Sequence, residues 1–112
     1  MHLGDIVRVD LGTPAGSEAG FVRPAVVLVA DAFLRYSPTT VFAVPLTSTP
    51  RAFPSHVLVE PDTTNGLDVP SWAQVEQMRA VSVDRCGAGS GNVGPTVTHQ
   101  MLDVLAMIVG MP

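Results

Sequence analysis

The sequence predicts a mainly β protein, a small and strongly curved barrel of five or six short strands closed by a C-terminal helix. Three observations lead to this prediction. Short runs rich in β-branched and other apolar residues recur along the chain, segments rich in Gly and Pro separate them, and only the last stretch has apolar residues at helical spacing. A chain of 112 residues can bury one modest core, so residues 1–112 are expected to form one domain.

Three strands are expected in the first half of the chain. Residues 6–11 alternate apolar and polar side chains, as a half-buried strand does, and a long loop containing Gly and Pro follows over residues 12–21. Residues 24–30 are almost continuously apolar, which predicts a central strand buried on both faces. One helical turn capped by Asp31 is expected next, and residues 40–44 are rich in β-branched side chains and predict the third strand.

Two further strands are expected before the chain becomes irregular. Residues 55–60 alternate and predict the fourth strand, and residues 72–77 predict the fifth. Between them, Asn65-Gly66 is the dipeptide that most favours a tight hairpin turn. Residues 78–85 are expected to form an irregular or short helical connection.

The end of the chain is expected to contain a joint, a short strand and a helix. The Gly-rich segment 87–91 is interpreted as a flexible hinge, and residues 92–94 as a last short strand. Thr98 is expected to cap a helix that runs through Met111, because apolar residues there recur at i, i+1, i+4, i+7 and i+8.

Composition excludes several classes of protein. Hydrophobic residues make up 46% of the chain and the mean hydropathy is +0.34, which is typical of a globular protein and not of a disordered one. No apolar run approaches the ~20 residues that span a bilayer, and no signal-peptide pattern is present, so a cytoplasmic protein is expected. The single cysteine, Cys86, excludes an internal disulfide framework and is expected to be a reduced thiol.

The charges limit how this chain can bind anions. Its net charge is -4, which argues against non-specific coating of nucleic acid. All six basic residues are arginines, and a guanidinium is a planar fork that matches phosphate geometry. Any recognition of phosphate must therefore come from a local cluster of arginines.

Two short segments contain the candidate chemistry. Arg23 precedes Pro24 at the start of an apolar strand, and Thr47 begins a hydroxyl cluster that continues with Ser48 and Thr49. A guanidinium and hydroxyls at strand ends can meet at one rim of a small sheet, where they bind a phosphate and stabilise charge developing on it. Position alone leaves two structural alternatives. Arg23 could lie at the edge of the barrel with its guanidinium in water. Thr47, Ser48 and Thr49 could simply be a strand end followed by a turn.

Metal and cofactor chemistry is not expected. His2, His56 and His99 are scattered without ligand spacing and without a carboxylate pair, and His56 alone lies beside the proposed site. No Gly-Lys-Ser/Thr sequence of a phosphate-binding loop occurs.

Several motifs, in this order along the whole chain, resemble the MazF/PemK family of toxin endoribonucleases. They are Gly4-Asp5-Ile6-Val7, Arg23-Pro24, Pro45-Leu46-Thr47-Ser48-Thr49, Gly66-Leu67, and Gln77 with Arg79. Each motif is short, and their common order and spacing carry the resemblance. It implies the SH3-like barrel shared by the MazF and CcdB toxins, and a homodimer.

The resemblance also implies an activity. Such proteins cut single-stranded RNA, here expected to be mRNA, at specific sequences without a metal, by attack of the substrate's own 2′-hydroxyl. The products carry a 2′,3′-cyclic phosphate and a 5′-hydroxyl. Arg23 and Thr47 match the catalytic positions, Arg23 for the non-bridging phosphate oxygens and Thr47 for the oxyanion. The implied partner is an antitoxin whose acidic, flexible segment fills the RNA groove and folds on binding.

Five more residues are implied as RNA contacts. Ser48 and Thr49 are expected to contact phosphate or bases, and Glu18 in the long loop is expected to accept a hydrogen bond from a base or to orient Arg23. The other two are Gln77 and Arg79.

Gln77 is expected to read a base, and Arg79 to hold a phosphate or an acid of a partner. A structural ion pair of Arg79 with Glu76 or Asp84 is the alternative. Arg8 departs from the family, whose members commonly have an aromatic residue at this position of the first strand.

Two other functions remain as alternatives. A gyrase poison of the CcdB type uses the same fold without nuclease activity, but it depends on an aromatic residue near the C-terminus that residues 108–112 lack. A peptide-binding SH3-like adaptor needs an aromatic groove, and aromatic residues make up only 5% of this chain.

Overall fold

The structure is a computed structural model that describes residues 1–110, and this part of the chain is built around one antiparallel sheet of seven strands. The strands are β1 (Asp5–Asp10), β2 (Val22–Val27), β3 (Thr40–Thr47), β4 (His56–Val59), β5 (Ser71–Gln74), β6 (Arg79–Ser82) and β7 (Cys86–Asn92). The helices are α1 (Asp31–Leu34) and α2 (Gly94–Ile108), with 3-10 turns at Val75–Gln77 and Val83–Arg85. No helix within residues 1–110 is long and apolar enough to cross a membrane.

β1, β2 and β3 lie in the middle of the sheet, and each contributes buried side chains to both of its faces. Successive side chains of a strand point to opposite faces, so these three strands supply two separate hydrophobic clusters. The first cluster, which Met101 of α2 completes, includes Ile6, Val26, Leu28, Val44, Leu46, Val57, Val59 and Val75. The second includes Val7, Val9, Leu11, Ala25, Val27, Val29, Val41, Ala43 and Val81. The prediction of a central strand buried on both faces is confirmed.

β3 changes partner along one of its edges. Its first half, Thr40 to Ala43, pairs with β6, and its second half, Leu46 and Thr47, pairs with β5. The other edge of β3 pairs with β2. The change of partner falls between Ala43 and Leu46, and Thr47 ends the strand just beyond it.

The prediction for residues 72–85 is partly wrong. The strand β5 ends at Gln74, and a 3-10 turn replaces its expected last three residues. β6 was expected as a connection, yet it pairs with β3 through four residues and buries Val81. A strand this short offers too little alternation to be recognised in a sequence. The short helical part of the prediction is confirmed by the turn at Val83–Arg85.

The interpretation of residues 87–91 as a flexible hinge is wrong, because they belong to β7. This strand pairs with β1 through a register that shifts twice. Its glycines allow close approach of other backbone: a Cβ on Gly91 would lie 2.2 Å from the carbonyl oxygen of Thr64, and one on Gly89 would lie 3.3 Å from that of Ile6. Glycine is therefore required at position 91 by packing and not by flexibility.

Asn65 organises the connection between β4 and β5, and the predicted tight hairpin turn is absent there. The Asn65 side chain is 1% exposed. Its Oδ1 accepts hydrogen bonds from the backbone N–H groups of Asp62 (3.1 Å) and Leu67 (3.0 Å), and its Nδ2 donates to the carbonyl of Glu60 (2.7 Å). The Asn92 N–H of β7 donates to Thr64 in the same connection (3.1 Å). This connection therefore joins the two ends of the sheet.

Both predicted helix caps differ from the structure. Ala30 is the N-cap of α1, and the Asp31 carboxylate instead accepts a hydrogen bond from the Leu3 N–H (2.8 Å). α2 begins at Gly94, whose N–H donates to the Asn92 side chain (2.7 Å), while the Thr98 hydroxyl donates to the Gly94 carbonyl inside the helix (2.8 Å). The predicted helix end, Met111, lies outside the described residues.

Cys86 begins β7 beside the second hydrophobic cluster. Burial raises the pKa of its thiol above the ordinary value. The neutral thiol is therefore favoured, as expected for a reduced structural cysteine.

We expect Gly91→Ala to lower the free energy of unfolding by about 1–3 kcal/mol, because the added methyl group collides with backbone that cannot move away. A denaturant titration measures this change. Gly87→Ala in the same strand is the control, since its Cβ would meet nothing closer than 3.6 Å. That variant is expected to be neutral or to gain about 0.4–1 kcal/mol. Equal losses in both variants would contradict the packing explanation.

Candidate functional site

An open cleft of about 800 Å³ lies where the first three strands meet the β4–β5 connection and β7. It is lined by residues 6–8, 20–24, 46–49, 66–69, 71 and 88–90. Its wall on the side of β7 is Ala88, Gly89 and Ser90, so that strand contributes backbone and small side chains only. The result is an open, polar-rimmed space beside strand ends.

Arg23 and Thr47 lie across from each other at the rim of this cleft. Ala25 pairs with Pro45, and Val26 pairs with Val44. Extending this antiparallel register by two residues beyond the paired region places Arg23 and Thr47 at the facing ends of β2 and β3, and both residues line the cleft. A guanidinium and a hydroxyl are thus available to one ligand in the same cleft.

The functional groups of both residues are available to a ligand. The Arg23 Nε donates to the carbonyl of Gly20 (3.0 Å), which fixes the side chain and leaves its two terminal nitrogens. Within residues 1–110, no arginine forms an ion pair with a carboxylate. The Thr47 Oγ1 accepts a hydrogen bond from the Thr49 N–H (3.2 Å), so its own hydroxyl hydrogen remains free to donate. Two charged or polar donors thus face the same opening.

Ser48 and Thr49 line the cleft as well, and both are exposed. They follow Thr47 directly, so the predicted hydroxyl cluster is brought together with Arg23. Phe21, 63% exposed, lies on the same rim in a left-handed backbone conformation with φ of 59°. This aromatic ring is therefore presented to solvent beside Arg23.

Glu18, Gln77 and Arg79 do not line the cleft. The Glu18 carboxylate accepts a hydrogen bond from the Ala15 N–H in its own loop (3.2 Å). The Arg79 Nη1 donates to the Leu11 carbonyl (3.2 Å), and the expected alternative of an ion pair with a nearby acid is absent. Roles for these three residues as RNA contacts stay predictions.

Gln77 anchors the long loop between β1 and β2. Its Oε1 accepts from the Ala19 N–H (3.2 Å), and its Nε2 donates to the Ser17 carbonyl (3.2 Å). The loop is closed at its base by a hydrogen bond from the Leu11 N–H to the Phe21 carbonyl (2.9 Å). The loop is thus fixed next to the cleft at both its base and its middle.

Two charged residues of the cleft, Arg8 and Asp68, are not among the predicted site residues. Arg8 lies on β1 directly opposite Pro24. The alternation of β1, together with its pairing with the strand that contains Arg23-Pro24, could have indicated that Arg8 lies at the cleft. Asp68 lies in the β4–β5 connection, whose path is set by contacts of Asn65. The sequence around Asp68 therefore contains no pattern that places this residue in the cleft.

His56 belongs to a different part of the molecule. Its Nε2 lies 3.0 Å from a Glu76 carboxylate oxygen, and the Ser55 hydroxyl donates to the other oxygen (2.9 Å). Its ring also packs edge-on against Phe53, with centroids 5.0 Å apart. In the part of the chain that the structure describes, no three His, Cys, Asp or Glu side chains are arranged to hold a metal ion.

Comparisons with known proteins agree with this architecture. A family model described as PemK-like, MazF-like toxin of type II toxin–antitoxin system matches residues 2–109. Endoribonuclease MazF9 of Mycobacterium tuberculosis is 35% identical over 112 residues, which cover 96% of this chain and 94% of that protein. Endoribonuclease MazF of Staphylococcus saprophyticus is 35% identical over 86 residues, covering 76% of this chain and 71% of that protein.

Solved structures share the fold. MazF from Deinococcus radiodurans superposes with a TM-score of 0.83 at 24% identity, over 99% of this chain and 97% of that one. An endoribonuclease from a Mycobacterial species, solved in complex with its cognate antitoxin, superposes with a TM-score of 0.80 at 23% identity, over 100% and 97%. The predicted barrel of the MazF type with a C-terminal helix is confirmed.

We expect Gln77→Ala to loosen the loop between β1 and β2, because it removes two hydrogen bonds that are each worth about 0.5–1.5 kcal/mol. Hydrogen exchange of the Ala19 amide should become roughly tenfold faster, while the amides of β2 keep their protection. Gln77→Glu retains the acceptor for Ala19 and loses the donor to Ser17. Its exchange rate at the Ala19 amide should therefore lie between those of the wild type and Gln77→Ala. Gln100→Ala, an exposed residue of α2, is the control, and unchanged exchange at Ala19 in Gln77→Ala would disprove the anchoring role.

Proposed function

This chain belongs to the family of PemK-like, MazF-like toxins of type II toxin–antitoxin systems, and on that premise we propose that it is an endoribonuclease that cuts single-stranded RNA in the cleft of Arg23 and Thr47. The observation that carries the proposal is that both side chains line one cleft, at the facing ends of β2 and β3, with their donors free. A guanidinium and a hydroxyl that converge on one opening suit a phosphate and the charge that develops on it.

The reaction needs no nucleophile from the protein. The 2′-oxygen of the RNA attacks the adjacent phosphorus and loses its proton, the bond to the 5′-oxygen breaks, and that oxygen gains a proton. The products are a 2′,3′-cyclic phosphate and a 5′-hydroxyl. The protein contributes by holding the 2′-oxygen and the phosphorus in line and by stabilising the charged intermediate.

Arg23 and Thr47 have separate roles in this reaction. The terminal nitrogens of Arg23 bind the non-bridging phosphate oxygens, where the negative charge increases as the fifth bond forms. The Thr47 hydroxyl donates a hydrogen bond to the same oxyanion from the opposite strand. A guanidinium keeps its positive charge in proteins, so Arg23 serves as a fixed positive charge.

Recognition of the RNA sequence comes from the rim. Ser48 and Thr49 follow the catalytic threonine and provide exposed hydroxyls for phosphate or base edges. The exposed ring of Phe21 offers a stacking surface, and base–aromatic stacking is worth about 1–3 kcal/mol. Glu18, in the neighbouring loop, accepts a hydrogen bond from a base once RNA is bound.

The remaining two predicted contacts act through the same loop. Gln77 fixes the loop that borders the cleft and presents its edge to a base. Arg79 holds the base of the loop through Leu11 and adds positive charge behind it. The catalytic step is proposed to be independent of metal ions, and mRNA in the cytoplasm is the proposed target.

A cognate antitoxin is the proposed inhibitor. An endoribonuclease with this fold has been solved in complex with its cognate antitoxin. The free guanidinium of Arg23 is a site for a carboxylate, so an acidic, flexible segment can occupy the cleft and exclude RNA.

We also propose that the whole chain acts as one toxin domain and forms a homodimer through α2. Met101 of this helix is fully buried in the core, but Leu102 and Val109, the residue that follows the helix, are exposed on one flank, about two turns apart. Exposed apolar side chains at this spacing form a stripe that a second copy can cover.

We expect purified protein to cut a long, unstructured RNA in excess EDTA, at one short sequence, and to leave cyclic phosphates. Thr47→Ala should slow the reaction by about 10²–10³-fold, the usual cost of one lost oxyanion donor, and Arg23→Ala by at least as much. Arg35→Ala and Thr40→Ala are matched controls, since both are exposed and lie outside the cleft. Product mapping and single-turnover rates provide the measurement.

Full cleavage by both cleft variants would falsify the site assignment. Intact RNA with a folded wild-type protein would instead favour the CcdB-like alternative, which a pull-down of DNA gyrase then tests.

For the dimer, we expect Leu102→Glu to raise the dimer dissociation constant at least tenfold, because it introduces a charge into an apolar contact. Sedimentation over a range of concentrations measures the constant. Gln100→Glu adds the same charge to another flank of α2 and should leave the constant unchanged. A monomeric wild type, or equal effects of both substitutions, would reject this interface.

A further inference from the structure

Arg8 is a second arginine of the cleft that the catalytic scheme does not use. It lies in the middle of β1, is exposed, and pairs across the sheet with Pro24. No hydrogen bond or ion pair engages its guanidinium within residues 1–110. A charged group directed at a cleft without any internal partner is available for a ligand.

The surroundings of Arg8 keep its guanidinium free. Pro24 on one neighbouring strand has no polar side chain. On the other side the neighbour is Gly87, which has no side chain; a Cβ there would lie 3.9 Å from the Cβ of Arg8. The closest acid on the same face of β1, Asp10, accepts a hydrogen bond from the Gly12 N–H (2.9 Å). Asp68 lies in the same cleft but forms no ion pair with Arg8.

Arg8 and Arg23 approach the cleft from different sides. Arg8 pairs with Pro24, whereas Arg23 pairs with Val9, so the two arginines are one position out of phase. Side chains one position out of phase leave opposite faces of a sheet. The two guanidinium groups are therefore suited to two different anionic groups, and not to a shared clamp on one.

The charge of the chain makes this second cation important. The net charge is -4, so the protein as a whole repels RNA. Of the six arginines, only Arg8 and Arg23 line the cleft, and Arg79 is occupied with the Leu11 carbonyl. The positive charge available to an RNA backbone in the cleft thus comes from two residues.

We propose that Arg8 is a positioning residue that binds a second backbone phosphate of the RNA, distinct from the phosphate that Arg23 holds. This inference rests on the proposed endoribonuclease function. Arg8 adds affinity and fixes the register of the strand in the cleft without reading a base. The free guanidinium, its separation in phase from Arg23 and the lack of other cations in the cleft all support this role.

The test uses an RNA oligonucleotide that contains the mapped cut site, with a 2′-deoxy substitution there so that it binds without being cut. Its dissociation constant is measured over a range of salt concentrations for the wild type, Arg8→Gln, Arg8→Lys and Arg35→Gln. Arg35→Gln makes the same change in net charge outside the cleft. Cleavage of the unmodified RNA is measured in parallel.

Arg8→Gln is expected to weaken binding about five- to twentyfold and to reduce the slope of log K against log salt by about 0.7, the share of one phosphate on a single strand. The KM for cleavage should rise with kcat and the cut sequence unchanged. Arg8→Lys should recover most of the slope, and Arg35→Gln should match the wild type.

Two results would overturn the proposal while leaving the nuclease function intact. One is an Arg8→Gln variant with the affinity and salt slope of Arg35→Gln. The other is a changed cut sequence with an unchanged slope, which would make Arg8 a base reader. A wild type that neither binds nor cuts RNA would instead overturn the proposed function and this inference together.

Discussion

β2 and β3 pair with Ala25 opposite Pro45, and both the core and the cleft depend on this register. It directs Val26 and Val44 into the cluster below α2, and it brings the ends of the two strands, with Arg23 and Thr47, to the same cleft. A slip of one residue would turn every side chain of a strand to the other face. Because alternate residues of these strands belong to two different clusters, such a slip would exchange the side chains of the two clusters, so the core itself fixes the geometry of the site.

The opposite wall of the cleft follows from a packing constraint of another kind. β7 must pass so close to the β4–β5 connection that Gly91 has no room for a Cβ. The same lack of side chains around Gly89 leaves the cleft open and Arg8 uncovered. Asn65, buried in the connection, holds the facing backbone in position. The absence of side chains at the glycines of β7 therefore allows both the closure of the barrel and access to the cleft.

Short sequence patterns predicted the features of the molecule that depend on neighbouring residues along the chain. Alternation and apolar runs identified the central strands, and the Arg-Pro and Pro-Leu-Thr motifs identified Arg23 and Thr47, which the fold brings together. The glycines of β7 signal flexibility in a sequence, because the carbonyl of Thr64 that requires Gly91 is distant along the chain. The role of Gln77 could not be predicted for the same reason. Its side-chain amide hydrogen-bonds to Ala19, 58 residues away along the chain, and only the folded chain brings the two together.

The acidic surface outside the cleft constrains both proposed partners. RNA and an acidic antitoxin segment are each repelled by a chain of net charge -4, so neither gains affinity from the protein as a whole. Both must obtain it from the same few guanidinium groups and from apolar contacts. Competition between them is then a direct consequence of the charge distribution, since the arginines that hold a phosphate are those that hold a carboxylate. The proposed inhibition at this cleft therefore calls for no conformational change in the toxin.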